Sequence, residues 1–288
     1  MKIQADSKAK TSRSRRGLWT KHAAAKNETG ELFVIWGGDA VKQGDPPIAA
    51  WRARFPDIKL NLTVDVYKYH DSRFGNFIFN KRTFNASDVP GTHKDLVDPV
   101  WANKLALTIP NDEDAITYLF SVTIEKYGWD WFDALQKQNV QWIRGTGEPA
   151  DFLAAKNTTR VLSSTDSLNG DSALASNTPN KTRLLWPQTA AIFATTPRPE
   201  SSKLFMSWSI SDEYEQQFDD GGYYLARKDL HNELGSVWDD SLTPLTQFAT
   251  FMENRDVVEW WRLQFETSLG TVQGVSPVLS EFGRRSSL

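Results

Sequence analysis

The chain has 288 residues, 40% hydrophobic and 24% charged, which is enough to bury one large or two modest hydrophobic cores. Its formal net charge is −3 and its basic residues are scattered, so we expect no nucleic-acid partner. The absence of cysteine excludes disulfides, thiolate metal sites and cysteine nucleophiles, and no apolar stretch approaches the roughly 18 residues of a membrane helix.

The first segment, residues 1 to about 30, is polar, basic and rich in Ser, Ala and Lys. This composition predicts a disordered leader, and the segment lacks the apolar core of a secretory signal peptide. Order is expected to begin at ELFVIWGGD, where the apolar run from Leu32 to Trp36 ends at Gly37 and Gly38. A buried strand that enters a glycine turn has this pattern.

The next two elements predict a β-α-β unit. A helix that ends before Pro56 is followed by IKLNLTVDVY, in which apolar residues alternate with other residues from Ile58 to Val66. Two strands joined by a helix normally pair in parallel, so the sequence predicts an α/β fold.

The middle of the chain alternates between predicted strands and helices. FGNFIFNKR and KLALTIP are predicted strands, a helix is expected from Ala115, and a second helix follows Gly128. VQWIRGTGEPADFLAAK predicts a strand, a glycine turn and a helix, and VLSSTDSL predicts another strand.

The C-terminal third is predicted to be mainly helical. LLWPQTAAIFA resembles a strand, whereas PRPESSKLFMSWSISDEYEQQF and VVEWWRLQFETSL have the periodicity of amphipathic helices.

Three consecutive acids, Asp112, Glu113 and Asp114, lie between the strand KLALTIP and the helix after it. Asn111 stands where an N-cap residue belongs, which would place the acids in the first helical turn, where the helix dipole favours them. Adjacent carboxylates do not converge on one metal ion, so a metal cage is the weaker interpretation. The position still matters, because ligands bind where strands end and helices begin in open α/β sheets.

Taken in order, the segments ELFVIWGGD, RFPDIKLNLTVD, DLVDPVWANKLALTIPNDEDA, YGWDWFDAL, WIRGTGEPADFLAA, WPQTAAIFATTPRPESSKLFMSWSISDEYEQ and GGYYLARKDL resemble the extracellular solute-binding proteins of ABC-type importers. The similarity is to the ferric-iron and thiamine branch and its fungal relatives, and it covers most of residues 31 to 275. The resemblance implies an α/β fold of the type II periplasmic-binding-protein kind, with mixed β-sheets flanked by helices in two lobes and a ligand between them.

The resemblance also implies domain bounds. Residues 1–30 would be the basic leader, residues 31–80 and 190–288 the first lobe with the C-terminal helices, and residues 81–189 the second lobe. The family usually has further β-α units where Asp71-Ser72-Arg73 directly joins two strands here, so the first lobe is expected to be incomplete. Uncovered sheet edges would then favour self-association.

The predicted ligand contacts are residues at strand ends and glycine turns, together with Asp166 and Trp186, which the resemblance implies lie near the ligand. They are Gly37, Gly38, Asp39, Tyr67, Tyr69, His70, Asn111, Asp112, Arg144, Gly145, Thr146, Asp166 and Trp186. In ferric-ion binders of the family the helix start near Asn111 cradles an anion, and an iron-binding tyrosine pair stands where this chain has Ser163 to Asp166. Because carboxylates repel anions, the acids predict a cationic solute, namely a metal ion such as ferric iron, or a thiamine-like or polyamine cation.

No enzyme motif or resident cofactor is predicted. A non-binding truncated paralogue is one alternative, and a carbohydrate-active enzyme that uses Asp112 with Asp166 is another. The family implies a transporter partner and a secreted or periplasmic location, whereas the lack of a signal peptide leaves the cytoplasm as the other expectation.

Overall fold

The computed structural model of the chain describes residues 17–37, 44–65, 73–165, 172–177, 184–185, 189–216, 225–227, 229 and 246–274. The strands are β1 (Glu31–Gly37), β2 (Lys59–Asp65), β3 (Arg73–Phe74), β4 (Phe77–Asn80), β5 (Ala106–Thr108), β6 (Gln141–Ile143), β7 (Leu162–Ser163), β8 (Leu174–Asn177) and β9 (Leu184–Leu185). The helices are α1 (17–25), α2 (Asp45–Arg54), α3 (Asp114–Tyr127), α4 (Trp129–Gln136), α5 (Glu148–Ala154), α6 (Pro199–Trp208), α7 (Asp212–Glu215), α8 (Gln247–Glu253) and α9 (Arg255–Leu269).

Contacts divide the chain into two compact units. Unit 1 contains Met1–His70 and Gln188–Asp240, and unit 2 contains Asp71–Pro187 and Ser241–Leu288. The sequence-based prediction assigns residues 190–288 to the first lobe, whereas α9 packs against α3 in unit 2. Within the described ranges, no helix has both the length and the apolar character needed to cross a membrane.

The sheets are mixed, as the sequence predicts. In unit 1, β1 and β2 pair in parallel through α2, which confirms the predicted β-α-β unit. In unit 2, β4 lies between β7 and β8 in an antiparallel sheet, and β5 pairs in parallel with β6. Strands β3 and β9 form a short antiparallel pair.

Aromatic side chains from α2 and α6 form the core of unit 1. The rings of Trp51 and Trp208 are 5.3 Å apart and meet edge to face, and Phe205 lies 5.3 Å from Trp51. The inner face of β1 packs on this core through Leu32, which is buried. Its outer face leaves Phe33 71% and Ile35 55% exposed, beside the polar residues Asn61 and Thr63 with which they pair in β2.

Residues 17–25 form the helix α1, whereas the sequence predicts disorder up to about residue 30. The helix is ordered by contacts that composition does not reveal. Leu18 is buried in the aromatic core of unit 1, and His22 and Lys26 bind the Asp57 carboxylate at 2.8 and 3.0 Å. Burial raises the pKa of Asp57, but these two hydrogen bonds outweigh it and lower the pKa to about 2.

Glu28, just after α1, caps the N-terminus of α6. Its carboxylate accepts hydrogen bonds from the Glu200 and Ser201 amides at 2.8 and 2.9 Å and from the Ser201 hydroxyl at 2.6 Å. Burial raises the pKa of Glu28, but the hydrogen bonds, first that of the Ser201 hydroxyl, prevail and lower it. The N-cap residue of α6, Arg198, makes no side-chain cap, so Glu28 does this from outside the helix.

Two other predicted helices differ in detail. The long helix predicted after Pro197 is divided into α6 and α7, because the Ser211 amide and hydroxyl both bond to the Trp208 carbonyl and form a turn between them. The segment THKDLVDPVWANK, in which the sequence predicts a short helix interrupted by Pro99, forms two 3-10 helices, His93–Val97 and Pro99–Trp101, because proline starts a helix more readily than it continues one.

The core of unit 2 is larger and joins α3, α4 and α9. Phe120 and Phe132 lie 5.9 Å apart, and the ring of Phe265 from α9 is 5.4 Å from Phe132. His93 lies fully inside this unit with its ring 5.0 Å from Phe77, and neither ring nitrogen has a hydrogen-bond partner among the residues that the structure describes. Burial lowers the pKa of His93 to about 3, with a further lowering by Lys126.

We expect His93→Gln to flatten the acid dependence of stability. Histidine has a pKa near 6.5 in the unfolded chain, whereas the pKa of His93 is about 3 in the folded chain. Between these two pH values the unfolded chain therefore binds one proton more than the folded chain. Stability is therefore complete above pH 6.5 and falls by about 1.4 kcal/mol per pH unit as the pH drops below it. Urea unfolding at pH 7.5, 6 and 5 measures the slope, and an unchanged slope in the variant would show that His93 is not the group responsible.

We expect Glu28→Ala to lower the free energy of unfolding by about 1 kcal/mol, because two amides and one hydroxyl at the start of α6 lose their acceptor. Thermal unfolding followed by circular dichroism measures the change. Glu200→Gln is the matched control, since it removes a charge from the first turn of α6 and an exposed ion pair with Lys203 but leaves the Glu28 acceptor of the helix N-terminus in place. Equal effects of the two substitutions would contradict the capping role.

Candidate functional site

The candidate site lies at the carboxyl ends of β5 and β6 in unit 2. These neighbouring parallel strands end at Thr108 and Ile143, and the chain continues into the turns that lead to α3 and α5. Asn111 and Asp112 belong to the first turn, and Arg144, Gly145 and Thr146 belong to the second. The structure thus brings together five of the predicted contact residues.

Asn111 is buried, with 6% of its surface exposed, but it is not the N-cap of α3. The helix begins at Asp114 with Glu113 as N-cap, because the Asp112 amide bonds back to the Ile109 carbonyl and closes a turn before the helix. The Asn111 Nδ2 donates to the Gly270 carbonyl at 3.3 Å, which fixes the orientation of the side-chain amide. Its Oδ1 is buried and accepts no hydrogen bond from the described part of the chain.

The Asp112 carboxylate joins the two turns. Its Oδ1 accepts from the Nε and Nη2 of Arg144 at 3.1 and 2.9 Å, and its Oδ2 accepts from the Gly145 amide at 3.1 Å. The side chains of Asp112 and Arg144 are 12% and 27% exposed, so water screens this ion pair only partly. Gly145 has a φ of 82°, a conformation that glycine adopts without strain.

Asp114 is bound by two arginines of α9. Its Oδ2 lies 2.8 Å from the Nη1 of Arg255, and its Oδ1 lies 3.0 Å from the Nη1 of Arg262. Only Asp114 of the three acids lies within α3, so the prediction that all three occupy the first helical turn is wrong. The premise that Asp112 and Asp114 present free negative charge to a solute is also wrong, because arginines neutralise both.

Hydroxyl groups form a buried layer beneath the site. The Thr108 amide donates to the Thr165 Oγ1 at 2.7 Å, and the Thr108 Oγ1 donates to the Gly145 carbonyl at 2.7 Å. Ser163 and Thr165 are fully buried, and their hydroxyls lie 3.3 Å apart. This layer holds β5, β7 and the Gly145 turn in fixed relation.

Other predicted contacts are distributed differently. Gly37 is the last residue of β1 and pairs with Asp65, in unit 1. Seven predicted contacts lie outside the described residues: Gly38, Asp39, Tyr67, Tyr69, His70, Asp166 and Trp186. Within the described ranges, no three His, Asp or Glu side chains are grouped so that they could hold a metal ion.

Arg255 and Arg262 also belong to this site, although they are not among the contacts predicted from the sequence. They are seven residues apart on α9 and therefore lie on the same face of the helix. This spacing is a signal that they act together, but their partner Asp114 is 141 and 148 positions away in the chain, and no local pattern identifies it.

A family model described as bacterial extracellular solute-binding protein matches residues 69–237, more than half of the chain. No curated protein sequence matches the chain.

Solved structures share the fold at low sequence identity. Iron-bound HitA from Pseudomonas aeruginosa is 11% identical with a TM-score of 0.53, and the match covers 81% of this chain and 99% of HitA. The ferric binding protein from Campylobacter jejuni is 12% identical with a TM-score of 0.55, and the match covers 82% of this chain and 99% of that protein. These similarities establish a type II periplasmic-binding-protein fold.

We expect Asp112→Asn to destabilise the protein by about 1–3 kcal/mol, because Arg144 and the Gly145 amide then lose a charged acceptor. Urea unfolding of the full chain measures this change. Glu259→Gln serves as the control, since Glu259 forms an exposed pair with Arg255 one helical turn away and should contribute less than about 0.5 kcal/mol. A loss at Asp112 no larger than that of the control would show that the carboxylate does not hold the two turns.

Proposed function

The chain belongs to the family of bacterial extracellular solute-binding proteins, not to a family of enzymes, and we propose that it captures a small solute at the candidate site around Asn111, Arg144 and Thr146. The solute we propose carries an N–H or ammonium group, as thiamine-like and polyamine cations do. A transporter is the partner that this function requires.

The unpaired Oδ1 of Asn111 is the observation that supports this solute. A buried carbonyl oxygen without a hydrogen bond costs about 1–3 kcal/mol, and a donor supplied by a solute would remove that cost. The amide cannot turn over to avoid the cost, because its Nδ2 is engaged by the Gly270 carbonyl. An ammonium or N–H group is the complementary chemistry, whereas an anion would face an acceptor.

Because Asp112 and Asp114 are paired with arginines, free negative charge cannot be the reason that the site prefers a cation. Asp112 and Asp114 form ion pairs with Arg144, Arg255 and Arg262, so their negative charge does not determine which solute enters. The preference for a donor-bearing solute therefore depends on hydrogen bonding at Asn111 and not on a negative field.

Ferric iron is the second candidate. It is supported by the similarity of the fold to iron-bound HitA and to a ferric binding protein. The hydroxyls of Ser163 and Thr165, at positions where the resemblance places an iron-binding tyrosine pair, are bonded inside the protein. Iron would then need ligands other than this pair.

Isothermal titration of the full chain with thiamine, spermidine, ferric citrate and inorganic phosphate tests the proposal. We expect saturable binding of thiamine or spermidine, and we expect Asn111→Ala to weaken it about tenfold, the effect of one lost hydrogen bond to a buried group. Asn61→Ala is the matched control, because the Asn61 side chain is exposed and donates to Glu31 on the surface of unit 1.

The other arms of the titration identify the alternatives. Binding of ferric citrate without thiamine or spermidine would support the iron candidate and refute the donor-bearing solute. Tight binding of phosphate would contradict both. Binding of none of the four would favour a paralogue that has kept the fold without the function.

A further inference from the structure

We propose that Arg262 of α9 is a positioning residue of the candidate site, an inference that rests on the proposed function. Arg262 does not belong to either strand-end turn. It holds the turn before α3 from the side, so that Asp112 and Asn111 keep the geometry that the site requires.

The guanidinium of Arg262 binds the turn at two points. Its Nη1 donates to the Asp114 Oδ1 and its Nη2 donates to the Asn111 carbonyl, both at 3.0 Å. These two acceptors lie on either side of Asp112 in the chain. A planar fork that bonds both of them fixes the backbone between residues 111 and 114.

Asp112 transmits this constraint to the second turn. Its two carboxylate oxygens bond to the Arg144 guanidinium and to the Gly145 amide, so the position of Asp112 determines the position of both groups. Asn111 receives the constraint directly, through its carbonyl and through the bond of its Nδ2 to Gly270 at the end of α9. The segment after α9 also contacts Arg144, because the Gly274 carbonyl accepts from its Nη1 at 3.0 Å.

Arg255 is a natural comparison within the same helix. It binds Asp114 at 2.8 Å and also binds Glu259, but it makes no described contact with Asn111. Both arginines therefore neutralise Asp114. Of the two, among the described contacts, only Arg262 also donates a hydrogen bond to the backbone of the turn, at the Asn111 carbonyl. If charge alone mattered, the two would be equivalent.

Amide hydrogen exchange at Gly145, resolved by NMR, tests the inference in the full chain without a ligand. We expect Arg262→Met to accelerate exchange of this amide about tenfold, and Arg255→Met to have a much smaller effect. We expect the double variant Asp112→Asn with Arg262→Met to exchange no faster than Asp112→Asn alone, because both changes remove the same constraint.

Two further measurements separate positioning from general stability. Arg262→Lys keeps the charge near Asp114 but lacks the fork, so it should restore less than half of the Gly145 protection, expressed as free energy. Titration with thiamine and with spermidine should show that whichever of the two binds the unmodified chain binds about tenfold more weakly to Arg262→Met and nearly unchanged to Arg255→Met.

Equal acceleration of Gly145 exchange by Arg255→Met and Arg262→Met would overturn the proposal, and so would full rescue by lysine or additivity in the double variant. If the unmodified chain binds neither thiamine nor spermidine, the proposed solute is refuted. The Gly145 exchange rates would still decide the role of Arg262.

Discussion

The fixed geometry of unit 2 depends on a cluster of ion pairs, in which Asp112 binds Arg144 and Asp114 binds Arg255 and Arg262. A carboxylate with its charge partly removed from water is stable only when a donor meets it, and here each of the two aspartates meets arginine. The cluster therefore joins segments that are distant in sequence: the turns after β5 and β6, and the helix α9. The aromatic core that contains Phe120, Phe132 and Phe265 stabilises the packing of the helices, and the ion pairs fix the positions of the turns against α9.

The elements of this fold follow from the sequence where the pattern is periodic. Alternation from Ile58 to Val66 predicts β2, the run from Leu32 predicts β1, and the two pair in parallel as a β-α-β unit should. Local composition fails where order comes from distant partners. Helix α1 is stabilised by Asp57 and by the aromatic core, and neither contact is visible in residues 17–25 themselves.

The position of the candidate site could be predicted, but its electrostatic character could not. Asn111, Asp112 and the Arg144 turn could be predicted as site residues from the sequence, because strand ends and glycine turns mark ligand sites in α/β sheets. The sign of the field at the site is a property of pairs, and Arg262 is 148 residues from the aspartate that it neutralises. A row of acids in a sequence thus indicates a charged position and leaves open whether that charge is available to a solute.

The bond between Asn111 and Gly270 spans 159 positions of the chain, which has a consequence for how the protein is made. During translation, the strands and turns of the site leave the ribosome long before α9 is available to hold them. Until then, a nascent chain would display Asp114 without the two arginines of α9 that bind it, and the site would be completed only when that helix is present. Chaperones that shield half-built surfaces would have their greatest effect on unit 2 in that interval.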